Sequence, residues 1–354
     1  MLVYGSSLVE DFWALVEKGA RLPQVREIPI FHSIMSKVTS LFIYLILCVA
    51  CTNNSDQENA VIVAKDSSPF IQVLGVAQDA GYPQLGCTKD CCKDLWDDPL
   101  SRKMVSCIGL LDPGKDDFWI FDATPDVKDQ IAACNRSLGH STIEMPTGVF
   151  ITHAHIGHYT GLMQFGREAY GTKDVPIYAM PRMNVFLTTN GPWSQLVSLN
   201  NIQLNSIKSD STISVGAGFR VIPIAVPHRD EFSETVGYKI VGPEKSVLFI
   251  PDIDKWEKWD RDIIEEIKGV DVALLDGSFY QNGEIPGRDM SLIPHPFIEE
   301  SMKLFSELEA REKAKIYFIH FNHTNPVLKK SSDAYQAVKA NGFNIAEEGQ
   351  KIFI

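Results

Sequence analysis

From residue 70 onward, short apolar runs bounded by turn residues give way to longer amphipathic stretches. Phe70-Ile71-Gln72-Val73-Leu74 alternates and stops at Gly75, the pattern of a strand. Residues 106–114 and 118–122 predict a hairpin about Pro113-Gly114. Residues 109–115 match most of a phosphate-binding loop. Asp116 stands where Ser or Thr is required, however, and a strand pattern follows instead of a helix, so the stretch reads as a turn. Helices are expected at 125–134, 161–169 and 183–189, with strands at 148–151 and 175–179 between them. Strands follow at 219–226, 235–241 and 246–250, then a helix at 259–268 and a strand at 270–275. A long amphipathic helix at 296–313, a strand at 316–319, a helix at 332–340 and a closing strand at 350–354 complete the chain. Early strands pair as hairpins and later ones alternate with helices, as in an α/β chain with two sheets and helices packed outside. No repeat or low-complexity block interrupts this order, and residues 188–206 carry no readable chemistry.

The N-terminus follows another pattern. Met35-Ser36-Lys37 precedes the apolar run 41–50, too short to span a membrane comfortably, and Cys51 follows it. Residues 35–50 therefore read as a signal peptide. Val49-Ala50-Cys51 resembles a bacterial lipobox, which would make Cys51 the lipidated first residue of the mature chain. Residues 51–69 are polar, as in a tether behind a lipid anchor. Residues 1–34 then lie upstream of a signal peptide and read as a start assigned too early; the alternative is a cytoplasmic extension with a signal anchor. On this reading the domain is 70–354, in the cell envelope, meeting the membrane only through Cys51.

The chain has 354 residues, 45% of them hydrophobic, and a net charge of −12. That length fits one large domain or two small ones. The acidic balance argues against nucleic acid as a partner, because phosphate binding rests on Lys and Arg.

The chemistry begins where the strand at 148–151 ends, at Thr152-His153-Ala154-His155-Ile156-Gly157-His158. Three imidazoles in six residues are hard to explain as core residues, since each buried ring nitrogen needs a partner. Neutral imidazole on a rigid strand end is instead a ready metal ligand. Four more apolar strands end on possible ligands: His228 after 222–227, Asp252 and Asp254 after 247–251, Asp276 after 272–275, and His320 with His323 after 316–319. An Asp after a strand is usually a cap or turn residue when it stands alone. There is no G-x-S-x-G elbow, so covalent Ser/His catalysis is a poor rival.

The motif His-x-His-x-x-His, followed by Tyr159-Thr160-Gly161-Leu162, resembles that of the metallo-β-lactamase fold superfamily, and the strand-end ligands follow in the superfamily's order. The resemblance implies an αβ/βα four-layer sandwich with two mixed β-sheets. It implies that His153, His155 and His228 hold one metal, that Asp252 bridges, and that His158 and His320 complete a second site. Asp252 and His320 would be the catalytic pair. In the motif an Asp normally stands where this chain has Gly157, and it often also holds the attacking water. The second site is thus short of a carboxylate: weakened, absent, or rescued by Asp254. Some relatives process tRNA, an activity the acidic composition opposes.

The cysteines narrow the resemblance. Gly86-Cys87-Thr88-Lys89-Asp90-Cys91-Cys92 follows a Gly-Tyr-Pro-Gln loop, and Asn-His-Thr-Asn-Pro follows His320. Together they resemble the coenzyme PQQ synthesis protein B group, and the cysteines also resemble those of the cyclic phosphodiesterase of the carbon–phosphorus lyase pathway. By that resemblance Cys87, Cys91, Cys92 and His323 form a structural zinc site; the alternative is a disulfide from Cys87 to Cys91 or Cys92, which an exported setting would favour. Cys107 and Cys134 read as core residues. Asp254, Asp276 and His295 are possible pocket residues. The reading is a zinc-dependent hydrolase of a small ester or phosphodiester. The alternatives are an iron-dependent oxidative step in cofactor synthesis, favoured by an all-His site short of a carboxylate, and a non-catalytic metal- or ligand-binding lipoprotein.

Overall fold

The computed structural model describes residues 67–354. The expectations for residues 1–34, the signal peptide at 35–50, Cys51 and most of the tether lie outside the described residues. Among the described residues no helix is long and apolar enough to cross a membrane.

The first half of the fold contains β1 (Phe70–Gly75), β2 (Cys107–Asp112), β3 (Asp117–Phe121), α1 (Val127–Leu138), β4 (Gly148–Phe150), α2 (Ile156–Tyr159), β5 (Val175–Ala179), α3 (Pro181–Thr189), α4 (Trp193–Ser198) and β6 (Ile202–Ser206). The second contains β7 (Ile213–Val215), β8 (Phe219–Ala225), β9 (Val236–Val241), β10 (Ser246–Ile250), α5 (Ile263–Lys268), β11 (Val272–Asp276), α6 (Ile298–Leu304), α7 (Ala310–Lys313), β12 (Ile316–Ile319), α8 (Asp333–Ala340), β13 (Asn344–Ile345) and β14 (Lys351–Phe353).

Two seven-stranded sheets result, one ordered β14-β1-β2-β3-β4-β5-β6 and the other β13-β12-β11-β10-β9-β8-β7. Both are mixed: β3 to β6 and β10 to β13 run parallel, and the remaining pairs run antiparallel. Alternation along each strand decides which layer a side chain joins. In β1, Ile71 and Val73 enter the core between the sheets, whereas Phe70 and Leu74 pack beneath α1. In β3, Trp119 and Phe121 face the other sheet, and Phe118 and Ile120 face the helices. Burial on both faces explains why these strands read as nearly continuous apolar runs. The result is the expected four-layer α/β sandwich.

The strands fall where the apolar runs placed them, whereas several helices differ. The expected helix at 296–313 is two short helices, α6 and α7, because the backbone tightens to i−3 hydrogen bonds at Ser306 and Leu308. Phe305 is buried and Leu308 packs against the same core through that turn, so three-residue spacing could not separate one helix from two. The helix expected at 161–169 is a 3-10 segment, Thr160–Phe165, closed at Gly166. The helix expected at 259–268 begins only at Ile263, where the Asp262 side chain accepts from the Ile264 backbone N–H. Residues 188–206, read as a pocket loop without readable chemistry, contain α4 and β6.

Candidate active site

Parallel pairing assembles the site. Because β10, β11 and β12 run in one direction, the residues just after them, Asp252, Asp276 to Ser278 and His320, emerge at one edge of their sheet. β8 runs the same way, two antiparallel steps from β10, and brings His228 there. The parallel pair β3 and β4 delivers Asp122 and His153 to the facing edge. The Val236 backbone N–H donates to the Thr152 carbonyl at 3.1 Å, joining the two edges. Asp122 and His320 take left-handed backbone conformations, φ 74° and 67°, which non-glycine residues adopt rarely.

His153, His155 and His228 bring one ring nitrogen each within 4.8 Å of one another. The surroundings assign their protons. Thr152 Oγ1 donates to Asp122 Oδ2 at 3.0 Å and receives the Nδ1–H of His153 at 2.9 Å. His155 Nε2 points to Glu231 Oε2 at 3.2 Å. His153 Nε2 and His155 Nδ1 then face each other at 2.8 Å with a lone pair on each. Burial pushes His228 down to about 4, so this ring too is neutral near pH 7.

On the other side, Asp79, His158, Asp252 and His320 form a second group on the same distance criterion. His158 Nδ1 donates to the buried Asp122 at 2.7 Å, turning Nε2 toward Asp252 Oδ2 at 2.9 Å and Asp79 Oδ1 at 3.1 Å. Ser278 Oγ donates to Asp276 and accepts His320 Nδ1–H at 2.9 Å, so His320 Nε2 faces Asp252 Oδ2 at 3.1 Å. Asp252 Oδ1 looks the other way, 3.7 Å from His228 Nε2. One carboxylate thus addresses both groups. Burial opposes charge on His158, yet the Asp122 carboxylate and the hydrogen bonds that the ring donates to Asp122, Asp252 and Asp79 push it well above its ordinary value. Against its own burial, Asp252 is held well below the usual carboxylate range by His320 and His158.

The structure brings together His153, His155, His158, His228, Asp252 and His320, as expected. His295 joins the His228 side: its Nδ1 donates to Asp276 at 2.8 Å and lies 3.5 Å from Asp252 Oδ1. Asp254 does not join; its carboxylate takes the Lys258 ammonium at 2.8 Å and the Lys255 backbone N–H. A different carboxylate, Asp79, which the sequence placed in an unassigned loop after β1, stands with His158, Asp252 and His320 instead. Asp122 was missed as well, although it ends an apolar strand, the same signal that marked Asp252.

A third group lies apart from this centre. Cys87, Cys91, Cys92 and His323 converge within 4.8 Å, all three cysteines as free thiols. Cys87 Sγ and Cys91 Sγ are 3.6 Å apart, well beyond a disulfide bond and near the ~3.8 Å between sulfurs on a tetrahedral zinc with 2.3 Å bonds. Burial raises Cys91 and pushes Cys92 up to about 12. Cys107 and Cys134 lie in the core beneath α1, as expected.

Both groups fit metal ions on the same physical ground. Both ring nitrogens of His228 are buried without a hydrogen-bond partner, and His158 Nε2 and His320 Nε2 crowd onto Asp252 Oδ2 at 2.9 and 3.1 Å. Such atoms cost free energy unless something satisfies them, and lone pairs aimed at one another call for a cation. His–carboxylate pairs behind the rings, such as His158 with Asp122, are the usual support of metal ligands.

The model of the Beta-lactamase superfamily domain matches residues 119–321. Coenzyme PQQ synthesis protein B from Klebsiella pneumoniae (strain 342) is 26% identical over 314 residues, covering 80% of this chain and 97% of that protein. Its counterpart from Methylobacterium sp. (strain 4-46) is 24% identical over 305 residues, covering 78% and 97%. Among solved structures, Zn(2+)-bound PqqB from Methylobacterium extorquens has a TM-score of 0.68 at 22% identity, over 80% of this chain and 100% of that one. A diphosphatase of the PhnP family has a TM-score of 0.56 at 21% identity, over 80% and 96%. The chain belongs to the beta-lactamase superfamily and is similar, at 26% identity, to coenzyme PQQ synthesis protein B.

Proposed function

We propose that the protein is a metal-dependent hydrolase of a small anionic phosphodiester or ester, with two metal sites that share Asp252. The observation that carries this reading is the Asp252 carboxylate, one oxygen toward His228 and the other toward His158 and His320. His153, His155 and His228 would hold one ion; Asp79, His158 and His320 would hold the other. A divalent cation there lowers the pKa of water to about 7 and polarises a phosphoryl or carbonyl oxygen. The chain supplies orientation and charge. Asp122 and Ser278 fix two of the rings, and His295, which Asp276 raises above its ordinary pKa against its burial, stands on the His228 side. Iron chemistry would be favoured by an all-His centre short of a carboxylate; with Asp79 among the ligands the centre would not be short of one. The matched relatives are named for coenzyme PQQ synthesis, so a small cofactor-like substrate is the class to screen after a generic probe.

The test uses bis(p-nitrophenyl) phosphate and p-nitrophenyl acetate with zinc-loaded protein. Hydrolysis should disappear on chelation, return with zinc and fall to background in His153→Ala. Loaded protein that cleaves neither probe nor any member of a lactone and phosphodiester panel would sink the reading. The Cys87, Cys91, Cys92 and His323 group would hold a separate, closed zinc.

We also infer, from Val49-Ala50-Cys51, that the mature protein is anchored in the cell envelope by a lipid on Cys51. Labelled palmitate should enter the full chain and not Cys51→Ala; equal labelling of both would overturn this.

A further inference from the structure

Gly157 lies inside α2, where its backbone needs no left-handed conformation and where glycine is about 1 kcal/mol worse than alanine. Something else must require it. A Cβ built at this position would stand 2.5 Å from Asp79 Oδ1, 2.6 Å from Asp79 Cα and 2.8 Å from its Cγ. The side chain and backbone of Asp79 fill the space where a residue at 157 would begin.

Standard bond lengths put a carboxylate oxygen about 2.4 Å from its own Cβ. An aspartate at 157 could therefore set its oxygen close to where Asp79 Oδ1 stands. From there Asp79 Oδ1 reaches His158 Nε2 at 3.1 Å and His320 Nε2 at 3.6 Å. The Asp79 loop is tied to the far sheet. The Phe321 backbone N–H donates to the Val76 carbonyl at 2.7 Å, and the Gln78 N–H donates to the Phe321 carbonyl at 2.8 Å. These bonds fix the loop to the residue that follows His320, so His320 and Asp79 arrive together. His320 Nε2 and Asp252 Oδ2 meet beside Asp79 Oδ1, 3.1 Å apart.

We propose that Asp79 and Gly157 are reciprocal halves of one ligand position: Asp79 is the terminal carboxylate ligand of the His158–His320 metal site, and Gly157 is the vacated point that admits it. This rests on reading the centre as a metal site. It goes further in making residues 79 and 157 exchangeable as the source of that carboxylate.

The experiment counts zinc per chain by mass spectrometry in the full-length protein. It compares wild type, Asp79→Asn, Gly157→Asp and the double variant Asp79→Gly/Gly157→Asp. Asp79→Asn, close to isosteric, should carry one zinc fewer than wild type. Gly157→Asp alone should lower the thermal midpoint, because its Cβ collides with the Asp79 backbone. The double variant should recover both the wild-type zinc count and the midpoint lost by Gly157→Asp. Unchanged zinc in Asp79→Asn overturns the proposal, as does a double variant that stays one zinc short. A wild type with no zinc beyond the cysteine group overturns it together with the hydrolase reading. The two readings otherwise fail separately. Zinc exchange that follows the swap without turnover would sink the hydrolase alone, and turnover with unchanged zinc in Asp79→Asn would sink the exchange alone.

Discussion

At the scale of single residues, the centre depends on groups that never face its middle. Asp122 accepts from the Thr152 backbone N–H, the Thr152 hydroxyl and the His158 ring, and it is wholly buried. Burial pushes its pKa up, and the His158 charge beside it pulls the other way. Replacing it by Asn keeps the shape but removes the charge that sets the His158 tautomer. Asp122→Asn should therefore lower zinc affinity at the His158 side about 10- to 100-fold. A competition titration with a fluorescent chelator reads this; an affinity within twofold of wild type would contradict it. The motif histidines, His228, Asp252 and His320 were legible because each follows an apolar strand. Asp79 was not legible, because a single Asp in a Gly- and Pro-containing loop carries no period and no spacing, and its partner His158 is 79 positions away.

At the scale of elements, the histidine segment holds its place by close backbone approach. A Cβ at Gly161 would lie 2.0 Å from the Thr124 carbonyl oxygen and 2.8 Å from that of Ala123, both on the loop that leads from β3 to α1. Gly161→Ala must push that loop away from the segment that carries His158, with a cost of about 1–3 kcal/mol, the usual range for overpacking. Urea unfolding of the zinc-loaded domain measures it, and a loss below about 0.5 kcal/mol would show that the loop yields freely. Strands were easier to foresee than helices for a related reason. Burial on both faces makes a strand a continuous apolar run, whereas the apolar spacing of α6 runs on through Phe305 and Leu308 in the turn at 305–309 and hides the break before α7.

For the whole molecule, the centre couples metal, proton and stability. Burial depresses His228 to about 4 from 6.5, and burial with the nearby His158 charge depresses His153 well below its ordinary value. The unfolded chain binds protons at these rings from about pH 6.5 downward and the folded chain does not, so their contribution is complete above 6.5 and is lost as pH falls toward 4. His228 alone accounts for about 3 kcal/mol. His158 and His295 act in the opposite sense. Both are raised against burial, by Asp122 and Asp276 respectively, so their contribution is present below 6.5 and lost as pH rises through their folded values. Metal-free protein should show its highest thermal midpoint near pH 6 to 7 and lose stability on both sides. Bound zinc replaces the proton on His158 and should flatten the alkaline arm. Circular dichroism melts across pH, with and without chelator, test this; a metal-free midpoint still rising from pH 6.5 to 4 would refute it.

By itself, the sequence determined what depends on neighbours along the chain: the strands, the strand-end histidines, the family and the cysteine cluster with His323. Those features follow from local period, from turn residues and from ligand types at short spacing. Only the tertiary structure decided which carboxylate stands beside His158, Asp252 and His320. Asp254, two residues past Asp252, turns away to Lys258, while Asp79 arrives from the opposite sheet through backbone bonds to Phe321. The physical reason is that parallel pairing gathers residues by the end of the strand they follow and not by their distance along the chain.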